Sequence, residues 1–135
     1  DNKIISDLLS WMEKNSVDYT NTFCHLISEK KTNDPIYNSI EFNNWYKNWK
    51  NRIKRNNKPI TDSFKLMKNY NPRVIPRNHI VEESLIAFSE NNDPKSFNEL
   101  IKILSDPYNY EKNIKKKYTL PNLNKDYFYE TFCGT

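Results

Sequence analysis

Apolar side chains recur through the first hundred or so residues at the three-and-four spacing of a helix. Ile5, Leu8, Leu9 and Met12 stand at i, i+3, i+4 and i+7, with Ile4 and Trp11 beside them, and predict a first helix with one apolar face. Tyr19, Phe23, Leu26 and Ile27 repeat the pattern in a second helix expected to end near Lys30-Lys31-Thr32. Asp34-Pro35 places a capping acid before a proline, a helix start signal. The stretch it opens carries Phe42, Trp45, Tyr46, Trp49 and Ile53 on one side, with Lys47, Lys50, Asn51 and Lys54 mostly on the other. Asn56-Asn57-Lys58-Pro59 reads as a loop, and Thr61 or Asp62 as the cap of a short helix bearing Phe64, Leu66 and Met67. A fifth helix is expected from about Asn78 to Ser89 with Val81, Leu85 and Phe88 inward. Asp93-Pro94 opens a sixth, with Phe97, Leu100, Ile101 and Leu104 inward, and Asp106-Pro107 stops it. From Tyr108 onward the periodicity is lost. The predicted architecture is all-α, an irregular bundle of about five to six helices with an extended, aromatic-rich C-terminal tail. Residues 1–107 form the helical domain and 108–135 the tail, which ends Cys-Gly-Thr.

Composition sharpens this picture. The 135 residues suffice for a single core. Hydrophobic residues are only 36% of the chain while aromatics are 14%, so the core is expected to be built from large rings more than from aliphatics. The single glycine is Gly134, which argues against β-hairpins and against phosphate-cradling loops, since both need positive φ or close backbone approach. The net charge of +4 comes from well-mixed basic and acidic side chains and is no nucleic-acid signature. No apolar run approaches the length of a membrane span, no signal peptide is evident, and two distant cysteines make no disulfide framework. A reduced cytoplasmic protein is the expectation. Abundant Asn and Lys fit an AT-rich bacterial genome. The chain opens on Asp1-Asn2-Lys3 and enters a helical pattern at once, so it reads as a piece of a longer protein.

Candidate chemistry concentrates in one run, Asn71-Pro-Arg-Val-Ile-Pro-Arg-Asn-His79, followed by Ile-Val-Glu82-Glu83-Ser-Leu85. Asn71-Pro72 should stop the preceding helix, because the residue before a proline is pushed out of the α region. Pro72 and Pro76 can each open a turn. Arg73 and Arg77 would share a face if the stretch were helical, and an arginine fork suits carboxylate or phosphate. The competing reading pairs them within the fold. Asn78, His79 and Glu82 complete the set of structural or contact residues; His79 and Glu82 are three apart and able to form an ion pair. Glu82 and Glu83 point about 100° apart on a helix and suit solvated or capping roles better than a shared acid–base site. Cys24 and His25 lack further metal-ligand spacing, so Cys24 reads as a small buried thiol and no metal site is expected. Lys112 to Lys117, with Tyr110 and Tyr118, reads as a solvated loop.

The same run resembles the C-terminal region of the selenoprotein O family (SelO, called YdiU in some bacteria). Two further pieces are similar: Asp93 to Tyr108, and the Phe132-Cys133-Gly134-Thr135 ending, where the family carries a cysteine or selenocysteine third from its terminus. The resemblance implies a kinase-like fold in the parent. It also implies transfer of AMP or UMP from ATP or UTP, with Mg²⁺ or Mn²⁺, to protein hydroxyls. This chain carries no Gly-rich loop, Asp-Phe-Gly or His-Arg-Asp run, so the family's nucleotide and metal ligands map onto none of its residues, and no cofactor is expected in this fragment. The one position that carries over is Cys133, as a redox-regulatory residue able to pair with an upstream cysteine. The expected partners are the missing N-terminal kinase-like region and the protein substrates of the whole enzyme, with no membrane and no nucleic acid. The alternative is an independent basic helical module binding nucleic acid or a protein.

Overall fold

The computed structural model describes residues 1–28 and 34–122. Among the described residues six α-helices appear in order: α1 Asn2–Lys14, α2 Tyr19–Ile27, α3 Ile40–Ile53, α4 Ile60–Tyr70, α5 Asn78–Asn91 and α6 Lys95–Leu104. Short 3₁₀ turns lie at Pro35–Asn38 and Lys116–Tyr118, and no strand occurs among the described residues. The all-α expectation is met.

Local chemistry fixes the helix starts. The Asp18 carboxylate accepts from the Asn21 amide at the head of α2 (2.8 Å), and the Ser39 hydroxyl accepts from the Phe42 amide at the head of α3 (3.3 Å). Both Asp-Pro signals act as caps. Asp34 accepts from the Ile36 amide and Asp93 from the Lys95 amide, each at 3.1 Å. The Asp34-Pro35 pair, however, starts the 3₁₀ turn and not α3, whose own cap is Ser39. With no glycine among the described residues, the chain turns left-handed corners with other residues. Asn92 ends α5 at φ 51°, and Ser16 follows α1 at φ 51°. A short polar side chain makes this conformation tolerable, and at Ser16 the Val17 amide returns to the Met12 carbonyl at 2.9 Å.

The chain forms two compact units, Asp1–Arg73 and the residues from Val74 on. The division falls inside the stretch read from the sequence as one helical domain, because two separate sets of side chains make two cores. The first core joins Leu8, Trp11, Met12, Leu26, Tyr37, Phe42 and Trp45. Phe42 is its hub: its ring lies 4.7 Å from Trp11, 5.2 Å from Tyr37 and 5.6 Å from Trp45, centroid to centroid. Tilted and edge-on ring pairs of this kind add about 0.5–1.5 kcal/mol each beyond the area they bury. The Trp45 indole also donates to the Ile4 carbonyl at 2.8 Å, which pins α3 to α1.

The second core is aliphatic: Val74, Ile80, Leu100, Ile103 and Ile114, with the ring of Tyr118. Ile114 and Tyr118 come from the aperiodic stretch after Tyr108, so residues 108–122 supply core to the second unit without forming a long helix.

Three helices sit at a different rotation from the one their spacing suggested. On α1 the buried face is Leu8, Trp11 and Met12 with Ile4 behind, while Ile5 and Leu9 face solvent. On α5 the buried residues are Ile80 and Ser84; Leu85 and Phe88, expected inward, are exposed. On α6 Leu100 and Ile103 are buried and Ile101 is exposed.

Candidate functional site

The arginine-bearing junction is not helical. Asn71 ends α4 in extended conformation, as the following proline requires, and its side-chain amide donates to the Met67 carbonyl at 2.8 Å. Residues 72–77 carry no helix, and α5 begins only at Asn78 with Arg77 as its cap. Neither proline opens a helix, so Arg73 and Arg77 do not share a helical face. Arg73 closes the first unit, and Arg77 belongs to the second. Both are half-buried. The Arg77 carbonyl accepts from the Ile80 and Val81 amides at 2.9 and 3.0 Å, so its backbone anchors the start of α5. Val74, between the arginines, is 2% exposed and fills the second core.

Asn78 is exposed, His79 half-buried and Glu82 exposed on the first turns of α5. No ion pair joins His79 to Glu82 among the described residues. Cys24 is half-buried on α2, less enclosed than a core thiol. Its Sγ lies 3.6 Å from the Pro72 carbonyl oxygen and 3.9 Å from that of Arg73, so the thiol donates into the start of the junction. Cys133, with Gly134 and Thr135, lies outside the described residues.

Two clusters escaped the sequence reading. In the first, the His25 ring stacks on Tyr37 at 4.1 Å with 19° between planes, and the Tyr37 hydroxyl meets the Thr22 hydroxyl at 3.2 Å. Burial pushes the His25 imidazole below its ordinary 6.5, with the Asp34 charge pulling the other way. Burial likewise pushes the Tyr37 phenol above 10.0; its Thr22 hydrogen bond opposes this, and the nearby acids reinforce it. A neutral imidazole stacked on a phenol is packing with a polar edge, not an acid–base pair aimed at solvent. Thr22 and His25 stand three apart on α2, but Tyr37 reaches them from beyond a connection, so no short-range pattern announces the cluster.

In the second, the Tyr118 hydroxyl donates to Glu99 Oε2 at 2.7 Å, and Lys115 Nζ pairs with Glu99 Oε1 at 2.6 Å. Tyr118 is 1% exposed. Burial and its bond to the carboxylate push its phenol up to about 12. The Lys115 and Tyr118 hydrogen bonds hold the Glu99 carboxyl below 4.5. This lock fastens the segment after α6 back onto α6.

One polar trough of about 930 Å³ runs between α1 and α3 in the first unit. Ion pairs cross it: Lys14 to Glu41 at 3.2 Å, and the Arg52 guanidinium to the Asp1 carboxylate, with Nη2 to Oδ2 at 2.9 Å. Lys3, Lys14 and Arg52, three of its lining cations, are thus engaged by its own acids. No three His, Cys, Asp or Glu side chains converge as metal ligands among the described residues. No helix among them is long and apolar enough to cross a membrane.

The fold and its clusters define a helical scaffold held by caps, rings and a carboxylate lock. The family described as "Protein adenylyltransferase SelO" matches residues 1–105. The chain is 42% identical over 135 residues to the protein nucleotidyltransferase YdiU of Alcanivorax borkumensis, covering all of this chain and 28% of that protein. It is 41% identical over 135 residues to that of Bacillus cereus, with 28% of that protein covered, and 43% identical over 138 residues to that of Nitrosococcus oceani, with 27% covered. The chain belongs to the SelO family. It spans little more than a quarter of the length of these curated relatives. No solved structure matches it.

Proposed function

We propose that this chain is a helical, non-catalytic segment of a bacterial SelO-type protein nucleotidyltransferase. The parent moves AMP or UMP from ATP or UTP, with Mg²⁺ or Mn²⁺, onto protein Ser, Thr or Tyr hydroxyls in the cytoplasm. The observation that carries the reading is the family match over residues 1–105, joined to relatives named protein nucleotidyltransferases. The segment's own chemistry supports a supporting role: its well-ordered polar clusters tie helices and connections together. Nucleotide and metal belong to the rest of the parent, and no step of the transfer is assigned to residues of this chain.

In this reading the segment follows the kinase-like core, packs on it, and carries Cys133 as a thiol that pairs reversibly with a cysteine of the core. Arg73, Arg77, Asn78, His79 and Glu82 form the junction that orients the segment. The order of core and segment rests on the Asn71–Leu85 run. Sequencing the parent reading frame on both sides tests it: nucleotide-binding motifs downstream of this chain, and none upstream, would overturn the order. Activity is tested with the full-length parent, labelled ATP or UTP, and Mg²⁺ or Mn²⁺. Label should pass to protein from the parent and not from this segment. Cys133→Ser should abolish any response of that transfer to reductant. A parent that transfers no nucleotide refutes the activity, and an unchanged redox response in Cys133→Ser refutes the regulatory thiol.

A further inference from the structure

The core of the second unit leaves apolar side chains of both α5 and α6 exposed. On α5, Ile80 and Ser84 are buried and Val81 packs partly against the core, while Leu85 and Phe88, at i+4 and i+7 from Val81, lead out into solvent. Leu85 is 48% and Phe88 44% exposed. On α6, Leu100 and Ile103 are buried, Phe97 is half-buried, and Ile101 is 53% exposed. The Phe88 and Phe97 rings stack at 5.6 Å with 24° between planes, which brings these two helix faces side by side. Together they form an apolar patch on the order of 300 Å², the size of the largest patch on an ordinary monomer and one that is often functional.

We propose that this α5–α6 face docks the segment onto the rest of its own parent polypeptide. The proposal rests on the reading that the chain is part of a longer nucleotidyltransferase, and it names the surface by which the two parts meet. The chain accounts for 28% of the length of its relatives, so most of the polypeptide able to cover this face is tethered to it. A tethered surface acts at a high effective concentration, which a second copy in dilute solution does not reach. The helix spacing points the same way. Leu85 and Phe88 continue the helical spacing of the partly buried Val81, and Ile101 that of Phe97, although the segment's own core leaves Leu85, Phe88 and Ile101 exposed.

The test places the photocrosslinker p-benzoyl-phenylalanine at Leu85 and, separately, at Ile101 in the full-length parent. Exposed Lys65 on α4 serves as control. Irradiation should give crosslinks within one polypeptide, mapped by mass spectrometry to residues outside this segment and well above the Lys65 background. Crosslinks only to a second copy, crosslinks confined to this segment, or a yield no higher than at Lys65 would each overturn the proposal. Nucleotidyl transfer by the same parent separates the two readings. Transfer without the crosslink refutes the docking face alone; the crosslink without transfer refutes the activity alone.

Discussion

Substituting Tyr118→Phe isolates the lock that closes the second unit. The change keeps the ring in the aliphatic core and removes only the hydroxyl that donates to Glu99 at 2.7 Å. A hydrogen bond to a charged group contributes about 1.5–3 kcal/mol. Glu99 keeps Lys115 at 2.6 Å and some contact with water, so the loss should fall at the lower end, about 1.5 kcal/mol. All three tryptophans, Trp11, Trp45 and Trp49, lie in the first unit, so indole fluorescence is blind to this change. Hydrogen exchange read by mass spectrometry over α6 and residues 108–118 is the suitable assay. Protection there should fall roughly tenfold, the equilibrium factor for about 1.4 kcal/mol, and stay unchanged in α1 and α3. The same lock predicts a pH dependence. The folded Tyr118 phenol lies above its ordinary 10.0, at about 12, so the folded state favours the protonated form. The stability this gives is complete below pH 10 and is lost as pH rises toward 12. Circular-dichroism melts at alkaline pH should therefore fall less steeply for Tyr118→Phe than for the native chain. Equal protection in α6, or equal alkaline slopes, would refute the account of the lock.

Phe42→Ala should cost about 3–5 kcal/mol, because it opens a cavity at the hub of the ring cluster; urea unfolding followed by tryptophan fluorescence measures it directly. His25 titrates below its ordinary 6.5 in the fold, so the first unit should lose stability as pH falls through and below that value. His25→Phe should flatten that acid slope in fluorescence-monitored unfolding, and an unchanged slope would count against a buried neutral imidazole. Titration calorimetry of this chain with ATP and Mg²⁺ should show no binding of useful strength; micromolar affinity, about −8 kcal/mol, would reveal a site the segment is not thought to hold.

The sequence by itself determined the helices and most of their limits. Spacing, the Asp-Pro caps and the near-absence of glycine are local facts, and a helix forms from local hydrogen bonds within a few residues. The aromatic make-up of the first core was legible for the same reason: Phe42, Trp45 and Trp49 recur on one side of a single helix. The tertiary structure decided which of two adjacent stripes each helix buried. Ile5 against Ile4, Leu85 against Ser84 and Ile101 against Ile103 differ by about one or two steps of 100°, and only the shape of the neighbouring surface selects between them. The tertiary structure also decided that Ile114 and Tyr118 are core, since their partners lie on helices earlier in the chain and the segment itself has no period. It denied Arg73 and Arg77 a shared helical face, because two prolines and a buried Val74 keep the junction out of the helix that i, i+4 spacing suggested. The His25–Tyr37 stack and the Tyr118–Glu99–Lys115 lock became visible for the same reason. Each joins residues that are far apart in sequence and meet only when separate elements fold against one another.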